Sequence, residues 1–332
     1  MTGAPATDPA AVTTSPLPES AGAGREPVSW SVAGALDRAA RFLAARGVEE
    51  SRLAAELLLA DTLDLPRLEL YLRHDRRLAD VEAARFGALV RRRAEGEPVQ
   101  YVLGRAGFRK LVLRVTPDVL IPRPETERLV EEVLAWLRAA RPAGARVLDV
   151  GTGSGAVALA ILDEAPGTAV VATDVSGPAL AVAAANAAAC GHAARLQLRA
   201  GPLLEPLEAG EVFDAVVANL PYVADAERAT LPREVREREP GVALFAGPTG
   251  LELVARLVAA APARLTAGGL LACELAPHQI DEAHALVNAT PGLAWLAAFR
   301  DLTGRERGFL ALRTGDPAAE RGRAVGAEES GS

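Results

Sequence analysis

A chain of 332 residues, half of them hydrophobic, is long enough to bury a sizeable core and to hold two domains, and with aromatics at only 4% that core must be built mainly of Ala, Leu and Val. A net charge of −7 argues against broad, sequence-independent nucleic-acid binding, which relies on clustered basic charge, and favours a folded partner or a small molecule. Cys190 and Cys273 lie far apart without metal-ligand spacing, the four histidines form no ligand pattern and no apolar run approaches a membrane span, so we expect a reduced, cytoplasmic, monomeric protein with neither metal nor membrane.

Residues 1–28 are Ala, Gly, Pro, Ser and Thr with scattered acids and cannot bury enough surface to offset ordering, so a disordered extension is expected there. Their first basic residue is Arg25, which is not the pattern of a signal peptide. From residue 29 to 97 the pattern becomes helical. Leu36, Ala40, Phe42 and Leu43 recur at three-to-four spacing, as do Leu53, Leu57, Leu58 and Leu59, then Leu68, Leu70, Tyr71 and Leu72, then Val81, Ala84, Phe86, Leu89 and Val90. Residues 31 to 110 hold fifteen basic and twelve acidic side chains, a balance of about +3 against the acidic whole, which suggests a docking domain. Its Arg91-Arg92-Arg93 run fits either a solvated helix end or a docking surface. Residues 98–125 read as a hairpin linker, with alternation at Leu111, Leu113 and Val115. A second domain, 126–314, opens with a helix at Thr126 carrying Leu129, Val130, Val133, Leu134, Trp136 and Leu137. It then alternates apolar strands with helices and closes on an antiparallel pair, Trp295 to Phe299 and Gly308 to Leu312: a doubly wound α/β sheet. Residues 315–332 lose all periodicity and are expected to be a disordered tail.

Two motifs in that domain carry chemistry. Arg146 to Val150 is an apolar strand that runs into Gly151-Thr152-Gly153-Ser154-Gly155 and then an apolar helix. Glycines let a turn pass close to a ligand, and the helix start offers unpaired N–H groups, so a nucleotide-type cofactor is the natural occupant. Asp174, closing the strand Ala169 to Thr173, can accept hydrogen bonds from both ribose hydroxyls. An NAD enzyme would show both features. The discriminating stretch is Val216-Val217-Ala218-Asn219-Leu220-Pro221-Tyr222, a strand buried on both faces that stops at an amide, a proline and an aromatic. Pro221 keeps Leu220 out of the helical region, which leaves the Leu220 carbonyl free to face a ligand. Asn-Leu-Pro-Tyr is similar to the [Asn/Asp]-Pro-Pro-[Tyr/Phe/Trp] signature of methyltransferases acting on planar nitrogens, and nicotinamide chemistry has no evident use for it. The pair of motifs therefore points to an S-adenosylmethionine site.

Further segments make the resemblance specific: Pro98-Val-Gln-Tyr-Val-Leu-Gly104, Ile121-Pro-Arg-Pro-Glu-Thr-Glu127, Ala243-Leu-Phe-Ala-Gly-Pro-Thr-Gly-Leu251 and Asp301-Leu-Thr-Gly-Arg-Glu-Arg307. Over roughly residues 30 to 314 the chain resembles the HemK/PrmC family, S-adenosylmethionine-dependent enzymes that methylate the glutamine amide of the Gly-Gly-Gln loop in class 1 peptide chain release factors. The resemblance implies a class I methyltransferase domain and release factors as partners, with no stable nucleic-acid binding. It implies that Gly151, Thr152, Gly153, Ser154, Gly155, Asp174, Leu203 and Asn219 hold the cofactor. It also implies that Asn219 and Tyr222 are catalytic, with Asn219, Leu220, Pro221 and Tyr222 gripping the substrate amide. The chain departs from the family at Leu220, where a first proline is usual, and at Pro202, where an acidic residue usually faces the adenine. The rival readings are an rRNA or DNA adenine N6-methyltransferase, which should carry a strongly basic face, and a non-catalytic S-adenosylmethionine-binding protein, which would not need Asn219 at a strand end.

Overall fold

The computed structural model describes residues 30–315, so the extension expected over 1–28 and nearly all of the tail expected over 315–332 lie outside the described residues. The chain divides into two compact units between Leu103 and Gly104.

The first unit is a cluster of helices. α1 (Val32–Ala44) starts where the Ser31 hydroxyl accepts the Gly34 N–H, and it buries Val32, Ala35, Leu36, Ala39 and Leu43. α2 (Ser51–Leu63), α3 (Arg67–Leu72) and α4 (Asp80–Ala94) close the core with Leu58, Leu59, Leu70, Phe86 and Val90. A fifth helix, α5 (Val99–Leu103), takes the place of the first part of the expected hairpin. Val99, Val102 and Leu103 recur at helical spacing and join the same core, which overrides the extended reading that their β-branched residues suggest. The arginine run is mostly occupied locally: Arg92 pairs with Glu97 and donates to the Val102 carbonyl, while Arg93 is buried and donates to the Glu97 carbonyl.

The second unit opens with a true hairpin, β1 (Arg105–Phe108) and β2 (Leu111–Arg114), in which Leu113 faces the core. α6 (Pro124–Ala140) begins two residues before the expected Thr126, since proline with its fixed φ is well placed in a first turn that also carries Glu125 and Glu127. There follow β3 (Arg146–Val150), α7 (Ala156–Glu164), β4 (Ala169–Asp174), α8 (Gly177–Ala189), β5 (Leu196–Ala200) and β6 (Phe213–Ala218). Next come β7 (Val223–Ala224), α9 (Arg233–Arg238), β8 (Phe245–Gly247), α10 (Glu252–Ala260), β9 (Leu265–Glu274), α11 (Ile280–Ala289), β10 (Leu293–Arg300) and β11 (Glu306–Arg313). Pro262 sits in the short 3₁₀ turn that ends α10, and β9 begins at Leu265.

Seven strands form one sheet in the order β10-β11-β9-β6-β3-β4-β5. Strands β9, β6, β3, β4 and β5 are mutually parallel, and β11 and β10 close the sheet antiparallel, as the sequence predicts. The chain starts in the middle at β3, runs outward through β4 and β5, then returns to the other side of β3 with β6. Both faces are covered. α6, α7 and part of α8 pack on one side around Leu129, Leu134 and Leu159; α10 and α11 pack on the other around Phe213, Leu257 and Phe309. The architecture is the doubly wound α/β fold, and its reversal of strand order falls between β3 and β6. Among the described residues no helix is long and apolar enough to cross a membrane. Cys190 and Cys273 are both free thiols, and burial pushes the Cys273 thiol far above its usual range, which suits a core residue.

Candidate active site

Because β9, β6, β3, β4 and β5 run in one direction, their carboxyl ends share one edge of the sheet. Glu274, Asn219, Gly151 and Asp174 all stand on that edge, where ligands of such folds sit. A cavity of about 310 Å³ opens there, walled by Gly151 to Ser154, Asp174, Pro202, Leu203 and Asn219 to Pro221. A second cavity of about 240 Å³ is walled by Tyr222, Val223, Leu231, Pro232 and Glu274. The two share Leu120, Arg123, Asn219, Leu220, Pro221 and Ala243, so the strand-end motif is the partition between them.

The first chamber is built around the glycine turn. Gly151, Gly153 and Gly155 have φ of 76°, 55° and 83°, left-handed values that disfavour any side chain. At Gly153 a Cβ would meet nothing within 4 Å, so its backbone is open to the chamber. At Gly151 a Cβ would stand 3.0 Å from Leu220 Cδ2. Gly155, expected to hold the cofactor with them, is not among the residues that wall the chamber. A Cβ there would press Ala183 Cβ at 3.3 Å, so this glycine serves the packing of α7 against α8. Behind the turn the buried Asp149 accepts the Thr152 hydroxyl at 2.7 Å and the Ala158 N–H at 3.2 Å. Burial nevertheless pushes its pKa up to about 6.

Asp174 has more to do than the sequence suggests. One carboxylate oxygen accepts the Gly153 N–H and the other the Ser176 N–H, each at 2.8 Å, so it braces the glycine turn and the entry to α8. Each oxygen keeps a second lone pair for a ribose hydroxyl. Leu203 adopts φ 49°, held there by the Thr173 hydroxyl donating to its carbonyl at 2.9 Å, and forms an apolar wall with Pro202 and Val175. A glycine turn with exposed backbone, a carboxylate one strand away and flat apolar walls between them match the donor set that S-adenosylmethionine requires. The residues present therefore fit that cofactor.

At the partition, Asn219 Nδ2 donates to Thr126 Oγ1 at 2.9 Å. Its Oδ1 and the Leu220 carbonyl accept no hydrogen bond from the described residues. Tyr222 is fixed at both ends. Its hydroxyl donates to Glu274 Oε1 at 3.3 Å, and its carbonyl accepts Gln279 Nε2 at 2.8 Å. Gly250 lies so close that a Cβ would fall 2.3 Å from the Tyr222 carbonyl. Burial, reinforced by Glu274, keeps the Tyr222 phenol neutral, with its pKa well above the usual value. The buried Glu239 pairs with Arg123 and accepts the Ile121 N–H at 3.2 Å, which fastens the segment beyond α9 beside the second chamber.

Thr126, Glu274 and Gln279 were not singled out as site residues by the sequence. A carboxylate closing the otherwise apolar run Leu270 to Cys273 is the signal that could have found Glu274, since it repeats the pattern of Asn219 after Val216 to Ala218.

Asp174→Ala should weaken S-adenosylmethionine binding by about 1.5–3 kcal/mol, through lost charge-assisted bonds to ribose and a slackened Gly153. Isothermal titration calorimetry checks this, and an unchanged affinity would place the ribose elsewhere.

Residues 34–104 match the PrmC N-terminal domain and residues 147–238 a methyltransferase domain. The chain is 39% identical to the release factor glutamine methyltransferase of Rhodopirellula baltica, over 84% of this chain and 95% of that protein. It is 43% identical to the enzyme of the same name from Moorella thermoacetica, over 84% of this chain and 97% of that one. A solved structure described as a release factor-specific protein-(glutamine-N5) methyltransferase, from Alicyclobacillus acidocaldarius, is 30% identical, covering 61% of this chain and 100% of its own, with a TM-score of 0.39. Identity at this level along nearly the whole length of such relatives, on a doubly wound sheet with a glycine turn beside an Asn-Leu-Pro-Tyr strand end, makes the chain a member of the S-adenosylmethionine-dependent release factor glutamine methyltransferase family.

Proposed function

We propose that this protein methylates the side-chain amide nitrogen of a glutamine in peptide chain release factors, the Gly-Gly-Gln glutamine of the class 1 factors, using S-adenosylmethionine. The observation that carries the reading is the partition: Asn219, Leu220 and Pro221 face both chambers, so a group held in one is presented to a group held in the other.

When bound, S-adenosylmethionine supplies an electrophilic methyl group on a sulfonium sulfur. An amide nitrogen is a weak nucleophile because its lone pair is delocalised into the carbonyl, so the residues around it must contribute direction. Asn219 Oδ1 and the Leu220 carbonyl are two acceptors with no hydrogen-bond partner among the described residues, and a primary amide has two N–H groups to offer them. Holding both fixes the plane of the amide and turns its nitrogen toward the first chamber. Tyr222, neutral and anchored at both ends, is a rigid wall for the amide. Such preorganisation can contribute as much as ~7–11 kcal/mol in well-oriented reactions. Leu220 keeps the carbonyl that the usual proline would supply; what it lacks is a fixed φ, and its side chain instead wedges against Gly151.

A release factor as substrate supports a cytoplasmic compartment. The helical unit suits docking of the whole factor. Leu68 and Leu72 are 71% and 69% exposed on α3, with Val81 75% exposed at the start of α4, on a portion of the chain with a basic balance.

Incubation with a release factor and S-adenosylmethionine should add one methyl group, which tandem mass spectrometry should locate on the Gly-Gly-Gln glutamine. Asn219→Ala should lower kcat on the order of 10²–10³-fold while cofactor affinity falls far less. Methyl transfer to RNA instead of protein, or an Asn219→Ala enzyme within a few-fold of wild type, would overturn the reading. For docking, L68E/L72E should raise KM for whole release factor and leave a short Gly-Gly-Gln peptide unaffected. An equal change on both substrates contradicts a docking role.

A further inference from the structure

S-adenosylmethionine carries three charged groups: a sulfonium, an ammonium and a carboxylate. The two cations suit the first chamber, whose walls include Asp118, Asp149 and Asp174. The carboxylate is repelled by those same walls, and the glycine turn has little left to hold it. The N–H groups of Gly151 and Thr152 donate to the Thr173 carbonyl at 2.8 and 3.0 Å, that of Gly153 to Asp174 at 2.8 Å, and that of Gly155 to the Thr152 carbonyl at 2.8 Å. A turn before a helix traps an anion with free N–H groups, and here most of them are spent on neighbours.

One wall residue has the opposite charge. Arg123, the residue that caps the start of α6, is the one cationic side chain among the described residues walling either chamber, and it walls both. Its Nη2 donates to Glu239 Oε1, and the second Glu239 oxygen accepts the Ile121 N–H at 3.2 Å. The Glu239 side chain is 1% exposed and that of Arg123 31%, so the anchor is buried while the guanidinium still reaches open space. Arg123 Nε and Nη1 have no acceptor among the described residues. A guanidinium presents five N–H donors in one rigid plane, so one held by a single nitrogen keeps a face that fits a carboxylate with two parallel bonds. A buried ion pair is a poor source of stability, but by gripping two residues of one segment Glu239 fixes both the backbone and the direction of the guanidinium.

We propose that Arg123 binds the methionyl carboxylate of S-adenosylmethionine, with Glu239 as the positioning residue that aims its guanidinium. This assignment rests on the first chamber being the cofactor site, as read above. The sulfonium sulfur has three arms. With the ribose at Asp174 and the methyl group presented at Asn219, the methionyl arm is left the remaining walls near the partition, to which Arg123 belongs. The arrangement also resolves a charge conflict. A bare guanidinium beside a sulfonium would oppose cofactor binding, whereas Glu239 and the methionyl carboxylate together offset its charge.

Calorimetry on the full chain tests this with three ligands: S-adenosylmethionine, S-adenosylhomocysteine and decarboxylated S-adenosylmethionine, which lacks only the carboxylate. Wild type should bind the decarboxylated ligand about tenfold or more weaker than S-adenosylmethionine. Arg123→Gln should weaken both carboxylate-bearing ligands about tenfold or more and change the decarboxylated one less than about threefold, because the loss is confined to ligands that carry the partner group. Arg123→Lys should recover only part of the loss, since a point charge lacks the fork. Should Arg123→Gln fail to fold with Glu239 left unpaired, the Arg123→Gln/Glu239→Gln double variant removes both charges and must show the same selectivity. The assignment is overturned if these variants weaken all three ligands equally or none of them. An unchanged cofactor affinity with a raised KM for release factor would overturn it too, by placing the guanidinium on the substrate. Asp174→Ala separates the two readings: facing the ribose that all three ligands share, it should weaken them alike. If it weakens none, the cofactor lies elsewhere and the Arg123 assignment falls with the chamber; if it weakens all while the Arg123 variants show no selectivity, the Arg123 assignment alone is wrong.

Discussion

The constraint on which the site depends is the contact between two loops leaving neighbouring parallel strands. β3 and β6 are in register as far as Val150 and Ala218, and the next residue of each, Gly151 and Asn219, begins a ligand loop. The chain reverses its winding between these strands, so the loops diverge and open a crevice instead of covering it. They part from near contact. A side chain on Gly151 would collide with Leu220, so the glycine both shapes its own turn and lets the strand-end motif sit against it. Methyl donor and acceptor are thereby brought to one point by the backbone of the sheet, before any side chain contributes.

Side chains then stiffen that point in two similar ways. Behind the glycine turn stands the buried Asp149, satisfied by the Thr152 hydroxyl; behind the Asn219 loop stands the buried Glu274, which accepts the Tyr222 hydroxyl. Both carboxylates are driven toward higher pKa by burial, and both hold a loop through a hydroxyl intermediary. Charge buried at this cost is poor value for stability and good value for orientation, because a carboxylate that can only accept removes ambiguity from every hydrogen bond attached to it.

Much of this was legible in the sequence because it is local. The apolar runs at Val147 to Val150 and Val216 to Ala218 mark strands buried on both faces, and the glycines and Asn219 mark where they stop. What escaped is what folding assembles over distance. Asn219 meets Thr126 across 93 residues and Tyr222 meets Glu274 across 52, and no periodicity carries those pairings. Val99 to Leu103 escaped for the opposite reason: too short for a helical period to declare itself, it is helical because Val102 has a core to enter. Gly155 and Asp174 show a third kind of limit. Their positions matched a known pattern, but only coordinates reveal that the glycine serves packing against Ala183 and that the carboxylate already braces Gly153 and Ser176.

The central claim is that two acceptors, Asn219 Oδ1 and the Leu220 carbonyl, hold both N–H groups of the substrate amide. A glutamine that has received one methyl retains a single N–H and can no longer satisfy both. The number of methyl groups added to a release factor at long times under excess S-adenosylmethionine, read by mass spectrometry, tests this most directly. The account predicts that the reaction stops at one methyl; a dimethylated glutamine would contradict it.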